Sequence, residues 1–264
     1  MKQVWNAYMK PFHVLGNLYF VGTRPASVHL FQTEEGLILL DTGYADTLYL
    51  VMDGIRELGF SPYNIRYLLH SHAHIDHIGG TRRLAELTGA KTVIGRADFD
   101  AATGKRDLTY AYELGEAFEE PFTPDILLDD GDVLTLGSTA IHCVHTPGHT
   151  EGTMSFFFDL VENGQTFHAA MHGGIGCNTM SRAYLERHHL PFSLRDTFLC
   201  DLMRLRELPV DVVIGNHQDH CDTLGKYARL QQGYWDAFID PSEWRRYLDR
   251  FRDRLLVQMD QESV

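Results

Sequence analysis

The sequence predicts an α/β protein arranged as a four-layer αβ/βα sandwich, in which two β-sheets lie inside and helices cover both outer faces. Two stretches of short apolar runs separated by glycines predict the sheets, and each stretch is followed by segments with helical spacing. Sheets and helices stack in layers because each element buries its apolar face against the next. We interpret residues 1–264 as a single domain of this architecture.

The first stretch supplies four predicted strands and two predicted helices. The helix over 46–58 has apolar residues at helical intervals and stops at Gly59, and the helix over 81–87 has Thr81 as its expected N-cap. The last strand runs directly into a cluster of histidines. The predicted strands cover residues 18–21, 28–31, 37–40 and 66–69.

The second stretch supplies the remaining strands and the C-terminal helices. The last helix, 242–257, places Trp244, Leu248, Phe251 and Leu255 on one stripe. This stripe covers either the core of the domain or a partner subunit, so the sequence leaves the oligomeric state open. The other predicted helices cover 194–208 and 222–238, and the predicted strands cover 91–94, 133–136, 140–144, 154–159, 166–171 and 210–215.

Charge and composition exclude several classes of partner. The chain has a formal net charge of −13 and no basic stretch of the kind that neutralises phosphates, so we expect no nucleic acid partner. No apolar run approaches the roughly 20 residues of a membrane span, and the N-terminus lacks the apolar stretch of a secretory signal. We therefore expect a cytoplasmic protein with no membrane partner, whose four cysteines are unpaired thiols.

The densest chemical signal is the pattern His72-x-His74-x-Asp76-His77, which follows the strand over 66–69. If the chain stays extended, the side chains of His72, His74 and Asp76 fall on one side, and His77 is free to turn toward a second ion. Imidazole and carboxylate are ligands that zinc prefers, and two zinc ions need about six protein ligands between them. The pattern predicts a zinc site, because an ordinary histidine-rich loop does not explain the further matching motifs downstream.

This pattern resembles the signature of the metallo-β-lactamase superfamily, and the resemblance extends from about residue 11 to 220. The motif Gly148-His149-Thr150-Glu151-Gly152-Thr153 is similar to the family segment that completes the first metal site. The segment Val213-Ile214-Gly215-Asn216-His217 resembles the strand end that delivers the last histidine. The turn Asp41-Thr42-Gly43 resembles the family turn whose aspartate supports the metal loop, although an ordinary strand-to-helix turn is the alternative.

The resemblance implies two zinc ions per chain. The first is held by His72, His74 and His149, and the second by Asp76, His77 and His217, as in one subclass of metallo-β-lactamase. Three further histidines are competitors: His142 and His145, which we interpret as packing or loop residues, and His220, which lies three residues after His217.

One position departs from the family pattern. Lactonase-like, glyoxalase II-like and persulfide dioxygenase-like members carry a bridging aspartate after the strand that corresponds to 166–171, where this chain has His172. We expect His172 to line the pocket, to hydrogen-bond the metal-bound water or to approach the second zinc, with a purely structural role as the alternative.

The resemblance implies a hydrolase in which a hydroxide bridging the two zinc ions attacks a carbonyl carbon while Asp76 orients it. The expected substrate is a small molecule with a cyclic amide, such as a β-lactam, or an ester. A lactonase or thioesterase is the alternative within hydrolases. An iron-dependent redox enzyme, a nuclease of the same fold and a non-catalytic binding module are less well supported. The segments 98–119 and 177–191, the latter with Tyr184, His188 and His189, are expected as loops that wall the pocket.

Overall fold

The computed structural model describes residues 4–263, and their strands form one seven-stranded and one five-stranded sheet. In the first sheet the strands follow one another in chain order, antiparallel from β1 to β4 and parallel from β4 to β7. Its strands are β1 Phe12–Leu15, β2 Leu18–Phe20, β3 His29–Thr33, β4 Gly36–Leu40, β5 Ile65–Leu69, β6 Lys91–Gly95 and β7 Ile126–Leu128.

The second sheet has the order β12-β11-β10-β9-β8. Strands β8 to β11 pair antiparallel, whereas the short β12 runs parallel to β11. The strands are β8 Val133–Leu136, β9 Thr139–His145, β10 Met154–Glu162, β11 Gln165–Met171 and β12 Val212–Val213.

Eight α-helices accompany the sheets within the described residues. They are α1 Leu48–Glu57, α2 Ile75–Ile78, α3 Thr81–Thr88, α4 Phe99–Ala102, α5 Arg182–Arg187, α6 Ser193–Leu205, α7 Thr223–Gln231 and α8 Glu243–Gln261. None of the helices in this part of the chain is both long enough and apolar enough to cross a lipid bilayer.

Three buried clusters show the predicted four layers. The central cluster draws side chains from both sheets, and the rings of Phe31 and Phe158 meet edge to face across it at 4.8 Å. A second cluster joins the outer face of the first sheet to α1 and α3, and a third joins the second sheet to α6 and α8. The four-layer prediction is therefore confirmed.

Helix α8 packs against its own chain. Trp244, Leu248, Phe251 and Leu255 are buried in the cluster that includes α6, and the indole N–H of Trp244 donates to the carbonyl of Leu205 at 2.8 Å. Of the two alternatives for the apolar stripe, the structure shows that it covers the core.

Several local predictions were wrong. Thr81 is the first residue of α3 and not its cap; its hydroxyl bonds the imidazole of His70 at 2.7 Å. The helix over 222–238 ends at Gln231, and the strand over 210–215 contracts to β12. Strands β1 and β7 were not predicted, and the expected loops 98–119 and 177–191 contain the short helices α4 and α5.

Candidate metal centre

Two clusters of potential metal ligands lie at the ends of sheet strands. One consists of His72, His74 and His149, and the other of Asp76, His77 and His217; in each cluster the three ligand atoms all lie within 4.8 Å of one another. The structure thus brings together all six residues that the sequence predicted as ligands.

The segment after β5 divides its ligands between the two clusters through a change of backbone conformation. The chain stays extended through His74 and then turns into the short helix α2, which contains Asp76 and His77. The condition that the chain stays extended as far as Asp76 is therefore not met. The helical turn carries Asp76 and His77 into the second cluster, while His72 and His74 remain in the first.

Hydrogen bonds fix two of the three imidazoles of the first cluster. Nδ1 of His72 donates to the carbonyl of Gly173 at 2.8 Å, and Nδ1 of His149 donates to the carbonyl of Gly176 at 2.8 Å. Because a carbonyl only accepts, the proton of each neutral ring is on Nδ1, and the lone pair is on Nε2. The Nε2 atoms of His72 and His74 are buried without a hydrogen-bond partner, which is costly unless a ligand satisfies them.

In the second cluster a carboxylate faces two imidazoles. Oδ2 of Asp76 lies 3.3 Å from Nε2 of His77 and 3.3 Å from Nε2 of His217, and these two nitrogens are 3.3 Å apart. The opposite nitrogens are anchored, since Nδ1 of His77 donates to Asp41 at 2.9 Å and Nδ1 of His217 donates to the carbonyl of Pro25 at 3.0 Å. Three donor atoms therefore converge on one point.

The two clusters differ in charge. Burial lowers the pKa of His72, His74 and His149, to about 4 for His149, so these rings are neutral at pH 7. Burial alone would also lower the pKa of His77, but the Asp76 and Asp41 carboxylates raise it to about 10. Burial would raise the pKa of Asp76, but His77 and His217 hold it well below its usual range. A divalent ion such as zinc accepts neutral imidazoles and an anionic carboxylate, so the first cluster is ready to bind it, whereas His77 in the second cluster would give up a proton on binding.

Asp41 makes the contacts that its predicted supporting role requires. Its backbone is in the left-handed region, with φ of 63°. Its carboxylate accepts from the N–H and the hydroxyl of Ser71, each at 2.8 Å, and from His77. The backbone N–H of Thr42 in the same turn donates to the carbonyl of His77 at 2.8 Å. The turn therefore holds both ends of the loop that carries the ligands.

The competing histidines lie outside both clusters. His142 is exposed on β9, and His145, at the end of that strand, bonds the carbonyl of Glu151 through Nε2 at 2.8 Å. Nδ1 of His220 lies 3.0 Å from the side-chain oxygen of Asn216, and its ring is 4.9 Å from that of His217.

His172, which follows β11, is fully buried and belongs to neither cluster. Its Nδ1 accepts from the N–H of Gly174 at 3.3 Å, and its ring lies edge to face with that of Phe198 at 5.8 Å. Nε2 has no partner, and burial lowers the pKa to about 3, so the ring is neutral.

Sequence reasoning missed one aromatic residue beside the first cluster, Tyr110. Tyr110 has a left-handed backbone with φ of 61°, and its ring lies 5.2 Å from that of His74 and 5.7 Å from that of Tyr184. A tyrosine in this conformation is rare, so the loop is held in a specific shape. The two tyrosines come from the two segments that were predicted to wall the pocket; Tyr184 was named among the candidates for that wall, whereas no sequence pattern singled out Tyr110.

Comparison with known proteins agrees with this geometry. Residues 21–161 match the metallo-beta-lactamase superfamily. This match covers more than half of the chain, and the chain belongs to the metallo-beta-lactamase superfamily. The resemblance seen in the sequence is therefore confirmed.

Two curated relatives match over parts of their length. A probable metallo-hydrolase of Burkholderia pseudomallei is 37% identical over 94 residues, which are 35% of this chain and 31% of that protein. An N-acyl homoserine lactonase of a Bacillus species is 24% identical over 163 residues, 53% of this chain and 60% of that protein. The chain thus spans less than two thirds of the length of these relatives.

Solved structures match over nearly the whole chain. The FEZ-1 metallo-beta-lactamase of Legionella gormanii has a TM-score of 0.90 and 27% identity, covering 98% of both chains. BJP-1, a subclass B3 metallo-beta-lactamase of Bradyrhizobium japonicum, has a TM-score of 0.86 and 26% identity over 99% of this chain and 98% of that one. The class B3 di-zinc metallo-beta-lactamase LRA-12 from an Alaskan soil metagenome has a TM-score of 0.84 and 25% identity over 96% of each chain.

Proposed function

We propose that this protein is a zinc-dependent hydrolase that opens a cyclic amide of the β-lactam type, with ester hydrolysis as a related activity of the same centre. The observation that carries the proposal is the pair of three-ligand clusters, His72–His74–His149 and Asp76–His77–His217. The same six residues are the ligands that the family resemblance implies, which supports the proposal. The whole-chain similarity to three metallo-beta-lactamases supports the choice of substrate class.

The donor set fits two zinc ions. The unpartnered, buried Nε2 atoms of His72 and His74 are the observation that tests the fit, because a lone pair in that position is costly without a ligand. Zinc bound there supplies Lewis acidity and a water whose pKa is lowered to about 7. No cysteine takes part in either cluster, so all ligands are nitrogen and oxygen.

The residues of the chain orient the reacting groups. Asp76 is anionic and directs its Oδ2 at the point where His77 and His217 converge, so this carboxylate can accept a hydrogen bond from a nucleophilic water there and orient it. Tyr110 and Tyr184 provide an apolar wall beside His74, against which the body of a small substrate packs. We infer one domain that acts on a small molecule, with no role for nucleic acid. Location in the cytoplasm stays a prediction, and the four free cysteines fit a reducing compartment.

A lactone is the second candidate substrate, since the Bacillus lactonases match just over half of the chain. The residue after β11 argues for the β-lactam, because His172 stands where lactonase-like proteins carry an aspartate.

The deciding experiment is a hydrolysis screen of β-lactams, lactones, thioesters and phosphodiesters, with protein of defined metal content. We expect turnover of a β-lactam that chelation abolishes and zinc restores. Turnover of lactones alone would reassign the substrate, and no turnover in any class would contradict the proposal.

A further inference from the structure

A buried carboxylate outside the two clusters connects the loops that carry the first one. Asp98 ends the 3₁₀ turn after β6 and is 3% exposed. Its Oδ2 accepts from the backbone N–H of Ala73 at 2.8 Å and from the hydroxyl of Thr150 at 2.8 Å, and its Oδ1 accepts from the N–H of Gly152 at 2.9 Å. One side chain thus receives three hydrogen bonds from two different loops.

Two of the donors that bond Asp98 lie next to candidate metal ligands in the sequence. Ala73 lies between the ligands His72 and His74, and Thr150 directly follows the ligand His149. Hydrogen bonds to an ionised carboxylate are short and stronger than neutral ones. Asp98 therefore fixes the distance between the two ligand-bearing loops, without itself belonging to a cluster.

Two glycines, Gly95 and Gly152, allow the close packing around Asp98. A Cβ atom at Gly152 would lie 2.6 Å from Cγ of Asp98, and one at Gly95 would overlap the carbonyl of Gly152. Only glycine permits such close backbone approach at these positions. Thr150 is held in turn, because its N–H donates to Thr153 Oγ1 at 3.0 Å and the two hydroxyls lie 2.9 Å apart.

The Asp98 carboxylate is ionised at neutral pH despite its burial. Burial raises its pKa to about 6, while the bonds from Thr150, Ala73 and Gly152 oppose that rise. A buried anion is stable only where hydrogen-bond donors satisfy it. The charge on Asp98 and the three hydrogen bonds that it accepts therefore depend on each other.

We propose that Asp98 is a positioning residue for the His72–His74–His149 site, which sets the metal affinity of that site and leaves that of the Asp76–His77–His217 site unchanged. The inference rests on the proposed metal-dependent function but concerns metal binding and not turnover. It predicts a selective effect: losing Asp98 lets the loops of His72 and His149 move apart, whereas His77 in the second cluster is held from the other side by Asp41.

The test uses Asp98→Asn, which keeps the shape but turns one acceptor into a donor that faces an N–H or hydroxyl. Zinc affinity is measured by competition with a chromophoric chelator. The measurement is made in a His217→Ala background, which isolates the first site, and in a His149→Ala background, which isolates the second. We expect about a 10- to 100-fold weaker first site, on the scale that residues supporting metal ligands reach, and a second site within about threefold of its parent.

Two further variants keep the test decisive. Asp100→Asn changes a half-exposed carboxylate two residues away and should leave both affinities unchanged. Thr150→Val removes one donor, should weaken the first site less than Asp98→Asn does, and should combine with it non-additively. If Asp98→Asn does not fold, Thr150→Val still tests whether losing a hydrogen bond to Asp98 weakens the first site. Equal weakening of both sites, or an unchanged first site, would overturn the inference. Zinc binding without hydrolysis of any substrate would overturn only the proposed function, and failure of the wild-type clusters to bind zinc would overturn both.

Discussion

Asp41 and His77 are joined by a hydrogen bond of 2.9 Å between Oδ2 and Nδ1, and both side chains are fully buried. The bond holds the His77 ring so that Nε2 faces Asp76 and His217. The same carboxylate accepts from Ser71, so it ties the start of the ligand loop to its end. The second cluster therefore depends on a residue that lies 36 positions away in sequence from His77.

Replacing Asp41 by asparagine should weaken the second metal site. The amide is a poorer acceptor for Nδ1 of His77 and presents a donor to Ser71, so we expect about a 10- to 100-fold loss of zinc affinity there. Competition with a chelator in a His149→Ala background measures it. Asp53→Asn, at a carboxylate that is 65% exposed on α1, is the control. An Asp41→Asn variant with wild-type affinity would refute the supporting role.

Alanine variants of the candidate ligand histidines should differ in zinc content and activity from variants of neighbouring histidines. We expect His149→Ala and His217→Ala to lose one zinc ion each and nearly all activity, because each supplies one of three donors to a cluster. His145→Ala and His220→Ala should keep about two zinc ions per chain, since their rings bond Glu151 and Asn216 instead. Metal analysis by mass spectrometry checks this. Equal metal loss in His217→Ala and His220→Ala would leave the second site unassigned.

Whether a sulfur atom binds the zinc ions is a second check on the assignment of the six ligands. We expect X-ray absorption of the zinc-loaded protein to show nitrogen and oxygen neighbours only, because both clusters consist of histidine and aspartate. A zinc–sulfur distance of about 2.3 Å would contradict this. It would direct attention to Cys177 or Cys221, which are buried thiols.

The sequence predicted the part of the site that is local. His72, His74, Asp76 and His77 stand within six residues, so their spacing alone indicated a metal site. His149 and His217 reach the site only through the pairing of β9 with β10 and of β11 with β12, and the family resemblance was needed to assign them. The same resemblance supplied the role of Asp41.

Other features could not be predicted because no local pattern encodes them. Helix α2 has four residues, too few for a periodic signal, and two of them are candidate ligands. Asp98 receives its bonds from donors 25, 52 and 54 residues away, so its position is a product of tertiary packing. The edge strand β7 is three residues long and only partly buried, which leaves little hydrophobic pattern to detect.

Metal binding at the second site should release a proton that binding at the first does not. The pKa of His77 is raised to about 10 by Asp76 and Asp41, against the effect of burial, so its ring is protonated at pH 7 in the metal-free protein. The pKa of His149 is lowered to about 4 by burial, so that ring is already neutral. Second-site affinity should therefore fall about 10-fold for each pH unit below about 9.

Calorimetry in buffers of different ionisation enthalpy measures this proton. We expect zinc binding to a His149→Ala variant, in which the second site remains, to release about one proton more than binding to a His217→Ala variant. The opposite order, or equal release, would show that the carboxylates do not hold His77 protonated.

His172 is the residue at which this chain departs from its lactonase-like relatives, and its geometry favours a role in the pocket over a role as a ligand. It lies in neither cluster, and burial keeps its ring neutral, so it adds no negative charge at the metals as an aspartate would. Its Nε2 is buried and has no hydrogen-bond partner among the described residues, which is costly unless a water or a ligand satisfies it. We expect His172→Ala to keep about two zinc ions and to change kcat or KM for the substrate found in the screen.

His168→Ala, at an exposed position on β11, is the matched control for His172→Ala. A second zinc weakened by about 10-fold or more would make His172 a ligand, and unchanged metal content with unchanged kinetics on every substrate would leave it a packing residue against Phe198.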